Sequence, residues 1–71
     1  MEQTQVLVGQ RIKELRREAG FSQEAFADQA QINRSHIGEI ERGEVNLTLS
    51  VLMKVSQALG VKVSKLVQGI V

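Results

Sequence analysis

Glycine spacing constrains this chain more than any other feature. Gly20, Gly38, Gly43 and Gly60 divide the middle of the sequence, and three of them stand where an apolar periodicity ends. Glycine just past a periodic stretch is a helix-stop signal, because it enters the left-handed conformation without steric cost. Stops this close together leave room only for short helices. Before Gly20, Val8, Ile12, Leu15 and Ala19 recur at helical spacing, which predicts a first helix from about Gln5 to Ala19. Ser22 is a suitable cap for a second, Gln23–Ala30, with Ala25, Phe26 and Ala30 inward. Asn33 opens a third from Arg34 to Arg42, closed by Gly43. Thr48 caps a fourth, Leu49–Leu59, with Leu49, Leu52, Val55 and Leu59 on one side. Val63, Leu66 and Val67 mark a fifth over 63–68. The expected fold is all-α, one compact five-helix domain over residues 1–71.

Composition closes off several functional classes. The chain has 71 residues, no cysteine and one histidine, His36, so neither disulfides nor thiolate metal sites are available. No metal and no cofactor is expected. Ser35 beside His36 is not a nucleophile–base pair, since neighbouring helical residues point about 100° apart. Without such a constellation or a phosphate loop, the chain reads as no enzyme. The net charge is +1, so nucleic-acid contact must come from a shaped surface rather than bulk charge. No apolar run approaches the ~20 residues of a membrane span. The first residues lack the form of a signal peptide. These features together read as a soluble, cytoplasmic domain with no evident pocket for a small-molecule effector.

The third helix is where chemistry can sit. With Arg34 at zero and about 100° per residue, Arg34, Ser35, Gly38, Glu39 and Arg42 share one side, and Ile37 and Ile40 lie opposite. Gly38 weakens a helix interior by roughly 1 kcal/mol relative to alanine, which close approach by another molecule would justify. About three residues, Gln31 to Asn33, separate this helix from the one before it. That is helix-turn-helix spacing, in which the second helix can enter the major groove.

Four segments in order, Arg11-Ile12-Lys13-Glu14-Leu15-Arg16, Gly20-Phe21-Ser22-Gln23-Glu24-Ala25-Phe26-Ala27, Ile37-Gly38-Glu39-Ile40-Glu41-Arg42-Gly43 and Ala58-Leu59-Gly60-Val61, resemble the lambda-repressor-like (XRE-type) helix-turn-helix family. The resemblance covers about residues 8–67. Within the family, Arg34-Ser35-His36-Ile37 and Asn46-Leu47-Thr48-Leu49 look most like the small controller proteins of restriction–modification systems. The resemblance implies a sequence-specific transcriptional regulator that binds double-stranded DNA. Arg34, Ser35, Gly38 and Glu39 would then read bases, and Gln23, His36, Arg42, Asn46 and Thr48 would contact phosphate. Arg16 and Glu41 match a structural pair joining the first and third helices. Arginine suits bidentate contact with guanine, and Glu39 could accept from cytosine or be solvated beside Arg42.

Three positions depart from the family pattern. Gln31 stands at a turn position where glycine is usual, Lys62 where a capping serine often opens the fifth helix, and Glu44-Val45 in a loop that is often basic. The apolar surplus of the C-terminal stretch predicts a homodimer seam at Val63, Leu66, Val67 and Ile70. A symmetric dimer would set two recognition helices about 34 Å apart. The competing reading is a protein-interaction module, antitoxin- or coactivator-like, on the same fold.

Overall fold

In a computed structural model that describes residues 3–71, the helices are α1 (Gln3–Glu18), α2 (Gln23–Ala30), α3 (Arg34–Glu41), α4 (Leu49–Leu59) and α5 (Val63–Val67). Residues 1 and 2 of the expected domain lie outside the described residues. The three expected caps are made. Ser22 Oγ accepts from the Ala25 N–H at 3.0 Å, Asn33 Oδ1 from Ser35 at 2.8 Å, and Thr48 Oγ1 from Val51 at 3.2 Å. Each satisfies a backbone donor that the first turn leaves unpaired. Lys62 begins α5 without a side-chain cap. That helix is held from its other end instead: Arg11 of α1 donates to the carbonyls of Lys65 at 2.9 Å and Gln68 at 3.0 Å.

The first four helices stop in the same way. A left-handed residue follows each one, and two backbone bonds close back onto the last turn. Gly20 and Phe21 donate to the carbonyls of Arg17 and Arg16, Gln31 and Ile32 to Asp28 and Ala27. Gly43 and Glu44 donate to Ile40 and Glu39, Gly60 and Val61 to Gln57 and Ser56. The left-handed residue has φ of 84°, 74° and 71° at the three glycines and 58° at Gln31. A side chain at such a φ costs roughly 1 kcal/mol, so the departure at Gln31 is a strained version of a motif the chain otherwise builds with glycine.

Val8, Ile12, Phe26, Ala27, Ile37, Ile40, Val55 and Leu66 form the core. Helix α1 lies against α3, α4 and α5, and α2 bridges α3 and α4. The crossing of α1 and α3 is tight at Gly9, where a Cβ would come within 2.3 Å of the Ile40 carbonyl oxygen. Burial corrects three inward assignments. Ala19 lies past the end of α1 and is exposed; Ala25 faces solvent while Ala27 enters the core. Leu49 is 66% exposed along with Thr48 and Ser50 beside it, and α4 begins to pack only from Val51 and Leu52. Four boundaries also move: α1 starts two residues and ends one residue earlier than expected, α3 ends at Glu41 with Arg42 as its cap residue, and α5 ends at Val67. Among the described residues no helix is long and apolar enough to cross a membrane.

Candidate nucleic-acid interface

Helix α3 is fixed from behind and open in front. Ile37 and Ile40 are fully buried on its inner side. Between them and the outer face, Glu41 receives a bidentate ion pair from α1: Arg16 Nε donates to Oε2 at 2.6 Å and Nη2 to Oε1 at 3.1 Å. Only 8% of the Arg16 side chain and 2% of Glu41 remain exposed. The remaining polarity is also satisfied, since Arg16 Nη1 donates to the Phe21 carbonyl at 2.8 Å and Gln23 Nε2 to Glu41 Oε1 at 3.0 Å. Three helices therefore meet at one carboxylate, which sets the angle at which α3 stands. This is the expected structural pair, and Gln23, expected at phosphate, braces it from α2.

On the outer side, Gln23, Arg34, Ser35, Gly38, Glu39 and Arg42 line one shallow groove. The structure thus brings all four expected base-reading residues together with two of the expected phosphate contacts. Arg34 and Ser35 are exposed at the start of α3, and Arg34 makes no ion pair among the described residues. Glu39 does not pair with Arg42, as its spacing allowed. Its Oε1 lies 3.3 Å from His36 Nδ1, both side chains half-exposed. Arg42 turns instead to Glu44, donating from Nε at 2.9 Å and Nη2 at 3.2 Å. That hydrogen bond, then the opposite charge, holds the Glu44 carboxyl below its ordinary range and raises Arg42.

Gly38 has a neighbour inside the chain. It is buried, and a Cβ there would stand 3.0 Å from Arg42 Nη1. Within the chain, the group that approaches this glycine closely is the Arg42 guanidinium.

Asn46 and Thr48 are exposed in the turn before α4. The Thr48 oxygen caps α4, leaving its O–H free to donate, and Asn46 Oδ1 accepts from Gln5 Nε2 at 3.0 Å. Gln5 also donates to the Val45 carbonyl, so α1 anchors this turn. Sequence reasoning missed both that anchor and the close crossing at Gly9. Gln5 is one polar residue in a polar first turn, while a glycine inside the α1 pattern was a usable signal of close helix approach.

The expected association seam needs correction. Leu66 is fully buried within the chain's own core and has no surface to offer a partner. Val67 and Ile70 are half-buried against that core, and Val63 is half-buried as well. Large apolar side chains are exposed at Leu7 and Val71 and, one turn apart on the same face of α4, at Leu49 and Met53, the last two with 66% and 45% accessible. A neighbouring groove is lined by Val8, Leu47, Leu52 and Val67.

Residues 12–66 match the model of the helix-turn-helix family. The chain is 45% identical over 60 residues to the immunity repressor protein of Bacillus phage phi105, covering 84% of this chain but 42% of that protein. The chain therefore spans about two fifths of the length of that relative. The restriction–modification controller protein C.AhdI from Aeromonas hydrophila superposes with a TM-score of 0.84 at 39% identity, covering 86% of this chain and 92% of that one. SinR, a master regulator for biofilm formation solved in complex with DNA, superposes with a TM-score of 0.81 at 39% identity, covering 86% of this chain and 98% of the other.

Proposed function

The chain belongs to the helix-turn-helix family, and from that premise we propose that it is a transcriptional regulator that binds double-stranded DNA by laying α3 in the major groove. One observation carries the reading: the residues of α3 turned away from the core line a single groove with Gln23 of α2, on a helix whose angle is set by a buried clamp. Arg34 stands first in that groove without an acidic partner, free to form the two parallel bonds that distinguish guanine. Ser35 and Glu39 follow it along the base edges. Gln23, His36, Arg42, Asn46 and Thr48 surround them as donors to phosphate, placing the protein without reading sequence. Such a regulator acts in the cytoplasm, at the nucleoid.

The reading includes a two-fold homodimer, because one short helix spans too few base pairs for operator specificity. Exposed Leu49 and Met53 supply an apolar motive. Each body measures 27 × 22 × 21 Å. Two of them side by side suit recognition helices about 34 Å apart, one turn of DNA.

Selection of duplexes from a randomised library, followed by gel shift, tests the proposal. Recovered sites should contain two related half-sites in inverted order. Arg34→Ala should weaken the recovered site by about 1–3 kcal/mol and relax preference at one base position. Recovery of no enriched sequence would sink the base-reading proposal. A monomer by sedimentation at high micromolar concentration, both alone and on the recovered duplex, would remove the dimer.

A further inference from the structure

We infer that Glu44 is an intramolecular competitor for DNA phosphate, holding Arg42 folded across the recognition face until a phosphate takes its place. The inference rests on the DNA-binding reading above and adds to it a residue that sets affinity.

Three observations converge. A planar guanidinium presents the same fork to a carboxylate as to a phosphate, and Glu44 already fills it with two bonds, at 2.9 and 3.2 Å. Arg42 is also seated from beneath, because the absent side chain of Gly38 leaves the hollow into which Nη1 fits. A helix-weakening residue in the middle of α3 thereby lets Arg42 lie back along the helix. Finally, Glu44 departs from the chain's own pattern. After the other left-handed stops the next residue is Phe21, Ile32 or Val61, each apolar and half-buried. After Gly43 the same position holds an exposed acid.

The consequence is electrostatic. A cation that keeps an acidic partner at the DNA surface neutralises no phosphate and releases no counterion. Arg42 contributes fully only when Glu44 lets go, and the freed carboxylate then stands close to the same phosphate and opposes it. Since both side chains are more than half exposed, the exchange is reversible and shallow. Glu44 thus weakens attachment to DNA of any sequence, leaving the base contacts of Arg34 and Ser35 to decide where the protein stays.

The test is a double-mutant cycle on a labelled random-sequence duplex and on the best duplex from the selection, each titrated across a salt series. Glu44→Gln should tighten binding about two- to fivefold on both duplexes and steepen the logarithmic salt dependence by about one. In an Arg42→Gln background the same substitution should tighten binding clearly less, because only the carboxylate's own repulsion of phosphate is then left to relieve. Equal tightening in both backgrounds would overturn the inference, since Glu44 would then act as a distant charge and not through Arg42. Unchanged or weaker binding by Glu44→Gln would overturn it too. Failure of the unsubstituted protein to bind either duplex at low salt would instead defeat the DNA-binding reading itself, and this inference with it.

Discussion

Glu41 and Arg42 are adjacent, and each belongs to a bidentate arginine–glutamate pair, yet the two pairs do opposite things. The Arg16–Glu41 pair is sealed, with 8% and 2% of its side chains exposed; the Arg42–Glu44 pair is open, with 59% and 52%. One residue along a helix is a turn of about 100°, enough to carry the chain from core to solvent. Inside, water cannot replace a lost partner, so Arg16, Phe21, Gln23 and Glu41 form a closed set that fixes α3 in place. Outside, water, salt and phosphate all compete, so the contact is exchangeable. Identical chemistry becomes a clamp or a latch according to how much solvent reaches it.

The comparison can be broken most forcefully from the inside. Arg16→Ala and Glu41→Ala should each lower stability by about 3–5 kcal/mol in chemical denaturation, because each leaves a buried charge unpaired. The double variant should fall well short of the sum, and an additive result would remove the claim of coupling. Two buried glycines sharpen the contrast next. Gly9→Ala forces a Cβ against the Ile40 carbonyl of α3 and should cost about 3 kcal/mol. Gly38→Ala meets only the movable end of Arg42, so helix propensity should prevail and stability should rise by up to about 1 kcal/mol. A smaller gain, about 0.5 kcal/mol, is expected for Gln31→Gly, as relief of left-handed strain is partly offset by the added freedom of the unfolded chain. Smallest of all is the outer pair: Glu44→Gln should leave the thermal midpoint essentially unchanged, and a drop of several degrees would show that the latch is structural.

Local chemistry explains which parts of this architecture could be read in advance. The stops at Gly20, Gly43 and Gly60 and the caps at Ser22, Asn33 and Thr48 act within a few residues, so helices α2 and α4 emerge with their expected bounds. Inward faces were harder wherever residues of one type crowd a helix. Ala25, Ala27 and Ala30 all suit the interior of α2, and only the position of its neighbours turns Ala27 in and Ala25 out. Leu66 likewise has the composition of a seam but the location of a core residue. The outward side of α3 was legible because it is one side of one helix. Its internal pairings were not: Arg42 had Glu39 and Glu44 equally within reach along the chain, and the reversal after Gly43 brings Glu44 to it.

The attachment of α5 bears on how the domain opens. This five-residue helix has no side-chain cap at its start and is tied at its end to Arg11, yet it delivers Leu66 to the centre of the core. So short a segment, latched mainly at one end, is the natural first unit to detach in a partial opening. In hydrogen exchange, the amides of α5 should report an opening free energy below that of α1 and α3, and loosening Arg11 should lower that step alone. A partner seated on Val67 and Ile70 would close the same unit, so self-association should register as slowed exchange in α5.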